Sequence, residues 1–456
     1  MNLVRKWIET WKADALMQKV IRNTGYLFSS NTIAMLLGSA QGILAVVFLG
    51  PSEYGTLGMV IALATSMNRL FSFRMGEVVV KFGGQELANG KQQSAAAVVK
   101  MAFISEATTT IFAYILLVVT APLSAKWIIK DPTVTSWIVI YGISLLFNLV
   151  NETSTAVLQV GNHFRSQAMV NLMQSVATAF LIVVAFLSHG GVFDVMMAYL
   201  VGKAINGIGI FVIAMRKMSS IFGEKWWQAP VNLIEKPWSM VRFAISTNLS
   251  GTINLVTRDS DVLWVGFFLT TEAGGYYKFA VAVMNVLLMP ITPFISTTFP
   301  EISRSIAKKE WALLKKLLSR TSTIAAIWTS ACTVGLLLFG RWGLSFLNDG
   351  KYLPSYEVIL ILIIGYGMAN IVFWNRPLLL SLGHPNYPLV ISFSLGLIKV
   401  LLMFGLVPIF GVNSMAWLMT GYLSFSVLIV ATRGLLIVRR TQRQEALNFV
   451  ENMGVS

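Results

Sequence analysis

The residues with the most chemistry to offer are Arg258-Asp259-Ser260-Asp261, which interrupt an apolar run from Val241 to Leu269. Charged side chains in a membrane helix cost about 2.5–3.5 kcal/mol each on insertion scales, so three in one turn should face a polar interior. A guanidinium in such a place grips phosphate oxygens bidentately, and carboxylates there bind or release H+ or Na+. Four more cations, Arg69, Lys203, Arg376 and Lys399, and two more acids, Glu106 and Glu152, also fall in or at the edges of apolar segments. The chemistry this suggests is capture of a phosphate-bearing anion by Arg258, Lys203, Lys399, Arg376 and Arg69. Asp261, Asp259, Glu106 and Glu152 are then the ion-coupling candidates. Each has a plainer reading. The charged knot locks a helix as an internal ion pair, Glu106 and Glu152 (beside Asn148 and Asn151) hydrogen-bond neighbouring helices, Arg69 and Arg74 anchor topology, and Lys278 snorkels to the outer interface.

Enzyme chemistry finds little support. The one cysteine, Cys332, and three scattered histidines, His163, His189 and His384, give neither a disulfide framework nor a metal site. No carboxylate pair sits in a loop beside a metal-binding partner. The stretch Gly84-Gln85-Glu86-Leu87-Ala88-Asn89-Gly90-Lys91 has glycines one residue too far apart for a phosphate loop, and Gln92 stands where Ser or Thr is required, so it reads as an ordinary loop. No cofactor and no metal are expected.

The elements that must position these residues are membrane helices. Hydrophobic residues make up 55% of the chain, charged residues 12%, and the mean hydropathy is +0.69, against about 25% charge in soluble domains. Twelve apolar segments reach spanning length, at 25–49, 54–73, 97–121, 134–158, 166–188, 193–215, 240–268, 275–299, 321–340, 356–381, 388–410 and 414–437. The net charge of +15 does not mark a nucleic-acid partner, because its placement follows topology. With a cytoplasmic N-terminus, the inward segments carry 25 Lys and Arg and the outward ones four (Lys126, Lys130, Arg341, Lys351). Both termini are therefore expected inside.

The predicted organisation is an interfacial amphipathic helix at 1–22, an N-lobe of spans 1–6 at 23–215, a cytoplasmic linker at 216–239, a C-lobe of spans 7–12 at 240–437 and a cytoplasmic tail at 438–456. The halves echo each other. Phe48-Leu49-Gly50-Pro51-Ser52-Glu53-Tyr54-Gly55 matches Phe268-Leu269-Thr270-Thr271-Glu272-Ala273-Gly274-Gly275 at a spacing of 220, and Leu158-Gln159-Val160-Gly161 matches Leu380-Ser381-Leu382-Gly383 at 222. Six spans per repeat gives parallel repeats. Helix breakers Pro290, Pro293 and Pro300 punctuate the eighth span, and Pro377 follows Arg376 where a helix should kink.

These stretches, with Val157 to Asn162 and Leu406-Val407-Pro408-Ile409-Phe410-Gly411-Val412-Asn413, resemble the Wzx-type polysaccharide flippases of the multidrug/oligosaccharidyl-lipid/polysaccharide exporter superfamily over residues 23–440. The resemblance implies an all-α integral membrane fold of twelve helices in two six-helix lobes, forming a V around a central cavity. It also implies alternating access and export of undecaprenyl-pyrophosphate-linked oligosaccharide across a bacterial inner membrane. Arg258-Asp259-Ser260-Asp261 matches that family's charged position in the seventh span. Partners on this reading are the polyprenyl-pyrophosphate oligosaccharide, membrane lipid, H+ or Na+ as coupling ion, and polysaccharide polymerase or assembly proteins. A multidrug or other small-molecule exporter of the same fold is the alternative, disfavoured by the surplus of cations. A polytopic enzyme acting on lipid-linked sugars is disfavoured by short outward loops.

Overall fold

The computed structural model describes residue 33 and residues 36–234, 237–384 and 386–452. The expected interfacial helix at 1–22 and the start of the first span lie outside them. In chain order the main helices are α1 (Leu36–Phe48), α2 (Pro51–Phe71), α3 (Gln92–Ser124), α4 (Thr135–Phe147), α5 (Asn151–Val160), α6 (Phe164–Leu187), α7 (Val192–Phe222), α8 (Pro237–Asn254), α9 (Asp261–Phe268), α10 (Thr271–Leu288), α11 (Thr292–Ala307), α12 (Trp311–Gly335), α13 (Ser355–Ile371), α14 (Asn375–Ser381) and α15 (Asn386–Asn452). Among the described residues nine helical stretches are long and apolar enough to cross a membrane. The reasons for fewer than the twelve expected are local. α15 holds two of the expected spans, parted at Gly411, whose φ of 71° and ψ of −159° break the helix. The seventh span is divided by its own charges into α8, a π-helical turn at Leu255–Asp259, and α9. The described part of the first span is the short α1.

One other expectation is adjusted. Gly84–Ala88 is a helical turn rather than a loop, and the chain reverses just after it, at Gly90 with φ +74°. The eighth span bends through a tight turn at Met289–Ile291, where Pro290 cannot donate an amide hydrogen bond. Residues past 438 continue the helix of the last span as far as Asn452.

The chain divides into two compact units: residues up to Phe48, Val60–Trp127 and Asp131–Thr252 in one, and Leu49–Met59, Ile128–Lys130 and Ile253 onward in the other. The first unit packs around Ala95 to Val99, Ala102, Ala156 to Leu158, Ile210, Ala214 and Met218, so that small residues of α3 receive larger ones of α5 and α7.

The second unit contains a reciprocal helix crossing. A Cβ on Gly55 would strike the Thr271 carbonyl oxygen, and a Cβ on Gly275 would strike the Pro51 carbonyl oxygen. Gly55 and Gly275, like Pro51 and Thr271, are 220 residues apart, so the two matching motifs of the sequence meet each other directly. Lys278 belongs to the same contact. Its side chain lies over Gly58, with Nζ 3.4 Å from the Tyr54 carbonyl and 4.0 Å from the centre of the Tyr54 ring. This corrects the snorkelling expected of it: the space left by Gly58 draws the ammonium onto α2, where a carbonyl and an aromatic face replace water.

Candidate functional sites in the two units

The fourth span of the first unit is broken. α4 ends at Phe147, turns occupy Asn148 to Val150, and α5 restarts at Asn151. A break inside a membrane leaves amide groups that must find partners. Glu106 of α3 supplies them: its two carboxylate oxygens accept the Glu152 N–H at 2.8 Å and the Thr153 N–H at 2.9 Å, at only 5% exposure. The Asn148 side chain donates to the Ser144 carbonyl at 2.8 Å and to the Lys203 carbonyl on α7 at 3.2 Å.

A polar cavity of about 190 Å³ opens beside this break, lined among others by Glu106, Glu152, Asn148, Asn151, Asn68 and Lys203. Glu152 accepts the Ser72 hydroxyl at 2.9 Å, and the buried Oδ1 of Asn151 has no hydrogen-bond partner. Both residues also line a second, larger pocket of about 540 Å³ with Arg74 and Lys81, which places Glu152 between the two. Gly76 makes this closeness possible, since a Cβ there would press on the Glu152 carbonyl. Lys203 is exposed, within electrostatic reach of the likewise exposed Arg69.

The charged run of the second unit is sorted by burial on folding. The π-helical turn at Leu255–Asp259 carries one extra residue per hydrogen-bonded ring, which turns neighbouring side chains to different sides. Asp261 points inward, 2% exposed, and accepts Lys399 Nζ at 2.6 and 2.7 Å and the Tyr277 hydroxyl at 2.7 Å. Lys399, 3% exposed, also donates to the Thr257 carbonyl at 2.7 Å. The ammonium has three protons and has found two carboxylate oxygens and a carbonyl, so the pair is closed. Lys399, expected to face an incoming anion, instead sits inside the unit as the partner of Asp261. Gly396, one turn before it, lets α15 approach until a Cβ would meet the Thr257 methyl group.

Arg258 and Asp259 are exposed, and Tyr366 lies within electrostatic reach of both and of Asp261. The Arg258 guanidinium carbon lies 5.3 Å from the centre of the Tyr366 ring on α13, and the guanidinium also donates a hydrogen bond to the Tyr366 hydroxyl, so that one tyrosine orients the group. Arg376 is exposed at the start of α14, just past the break that separates α13 from α14, and joins neither cluster. Sequence reasoning missed Ser72, Gly76, Tyr277 and Tyr366. The hydroxyl of Tyr277 lies four turns on from Asp261, across a loop, and only the fold brings the two together.

Among the described residues the chain is all-helical, with a broken span in each unit, polar groups gathered at the breaks and a buried ion pair, Asp261–Lys399. Residues 20–306 match the family described as Polysaccharide biosynthesis protein, and the chain belongs to that family. It is 23% identical over 359 residues to the inner membrane protein YghQ of Escherichia coli strain K12, covering 77% of this chain and 99% of that one. Its fold is similar to the inward-facing conformation of a multidrug resistance MATE family transporter of the MOP superfamily, with a TM-score of 0.72, 11% identity, and 90% and 96% of the two chains covered. It is also similar to the inward closed conformation of the lipid II flippase MurJ, with a TM-score of 0.69, 13% identity and 92% of each chain covered.

Proposed function

We propose that the protein is a flippase of polysaccharide biosynthesis. It carries a polyprenyl-pyrophosphate-linked oligosaccharide from the inner to the outer leaflet of a bacterial inner membrane, through twelve spans in two six-helix lobes with both termini cytoplasmic. It is a transporter and not an enzyme, and it works by alternating access driven by a cation gradient. The family membership and the transporter fold support the class. The observation that carries the substrate is Arg258, exposed inside an apolar span, oriented by Tyr366 and rooted in a turn held by the Asp261–Lys399 pair. A guanidinium so placed receives a pyrophosphate, with Lys203, Arg69 and Arg376 as further cations along the route. Lys399 contributes by fixing the turn.

The coupling ion belongs to the first unit on this reading. Asp261 is neutralised by a tethered ammonium, whereas Glu152 borders a polar cavity with an unpartnered Asn151 oxygen beside it. Arg258→Ala should abolish binding of a polyprenyl-pyrophosphate oligosaccharide to purified protein, followed by Trp fluorescence, while leaving the melting profile intact. Arg258→Lys should restore it only in part, since the fork geometry is lost. Binding of a cationic dye in preference to that lipid, unaffected by Arg258→Ala, would favour the small-molecule exporter instead. Glu152→Gln should alter the pH or sodium dependence of transport in proteoliposomes; an unchanged dependence returns Glu152 to a structural role.

A further inference from the structure

The turns that break the fourth span have two sides. Asn148, Asn151 and Glu152 line the polar cavity, while Leu146, Phe147, Leu149 and Val150 line a separate pocket of about 600 Å³ whose walls are almost wholly apolar. That volume lies in the range of about 300–1,000 Å³ typical of ligand pockets. Ile104 and Ala107 of α3 and Ile208 and Phe211 of α7 form its sides. It opens outward, because Ile104 is 56% exposed and Ile208 48% exposed, and along membrane-spanning helices the outside is lipid.

One end differs. There Trp226 and Trp227, the amphipathic residues that favour the membrane–water interface, stand with ring centroids 6.0 Å apart, and Trp226 leans on Phe103 at 6.4 Å. Beside them is Lys100, the single charged residue among those lining the pocket. Its ammonium donates to the Ala229 carbonyl at 3.3 Å, which leaves two protons for another acceptor.

We propose that this pocket is a lipid site that takes one acyl chain of an anionic membrane phospholipid, with the phosphodiester at Lys100 and the chain lying against the broken turn of the fourth span. The charge decides between lipids. One ammonium matches the single negative charge of a phosphodiester, whereas a pyrophosphate calls for several cations. Because the same turn walls the polar cavity, a chain in the pocket supports Asn148 to Glu152 from behind. The site stands apart from the substrate assigned above and does not depend on that assignment.

The full chain in nanodiscs, labelled by a phosphatidylglycerol bearing a photoactivatable group on its acyl chain, tests this by mapping the adducts. Adducts should concentrate on residues 146–150 and 208–215, and unlabelled phosphatidylglycerol should compete about fivefold better than phosphatidylcholine. Lys100→Gln should remove that preference. Filling the pocket with Ala107→Trp, or with the milder Ala107→Leu, should lower labelling there and leave the rest of the lipid-facing surface unchanged. Labelling no stronger than elsewhere on that surface, equal competition by phosphatidylcholine, or better competition by a polyprenyl phosphate would overturn the proposal. Labelling that emerges only after deletion of residues 1–22 would do so too, by giving the pocket to the chain's own N-terminus.

Discussion

Both units bury a carboxylate next to a broken or bulged span, yet they satisfy it in opposite ways. In the first, Glu106 is held by two backbone amides of α5, at 2.8 and 2.9 Å. In the second, Asp261 is held by a full positive charge, Lys399 Nζ, at 2.6 Å, and by Tyr277. Amides carry only partial charges, and a polar cavity lies beside the first cluster. The ion pair is neutral and, at 2–3% exposure, leaves no room for another cation. The spacing sharpens the contrast. The turns at 148–150 and at 372–374 are each followed by a charged residue two positions on, Glu152 in one unit and Arg376 in the other. An acid thus follows the break in one unit and a base the break in the other.

The largest test of this contrast is Lys399→Ala. Removing one partner of a buried pair strands the other charge, so the loss of stability should be about 3–5 kcal/mol, read as a lowered unfolding midpoint in detergent. The double change Lys399→Met with Asp261→Asn should recover most of it; a double variant as unstable as the single one would mean that packing, rather than charge, holds the turn. Glu106→Ala comes next, at about 1–3 kcal/mol, because two amides at the start of α5 lose their acceptor. An unchanged unfolding midpoint would mean water replaces the carboxylate there and the first cluster is open. Tyr277→Phe is the smallest, at about 1 kcal/mol for one hydrogen bond to Asp261, and a larger drop would show that the ion pair cannot hold the turn without the phenol.

Much of the fold was legible because membrane helices announce themselves by length and hydropathy, and the charged run at 258–261 was rightly singled out as a break in the pattern. What the charges do was less legible. Adjacent numbering made Arg258, Asp259 and Asp261 look alike, but Arg258 and Asp259 are exposed whereas Asp261 is buried. The partner it finds, Lys399, is 138 residues away, a pairing that composition and local spacing do not encode. Glu106 and Glu152 were recognised as polar intrusions, yet the end-capping by Glu106 depends on a helix break whose only local signal was the Asn148 and Asn151 pair. Lys278 was misread for a related reason: its docking place, Gly58, lies in a distant helix.

The crossing of Gly55 and Gly275 carries a historical meaning. Each glycine admits the carbonyl of the residue four positions before the other, and the four residues fall into two pairs set 220 apart. Contact of residue i with j, repeated as j with i, is the mark of an isologous interface between two identical subunits. A six-helix ancestor that dimerised through one glycine face would leave this reciprocal seam behind once two copies of its gene were fused. Divergence of the two sides after such a fusion would account for the acid at one break and the base at the other.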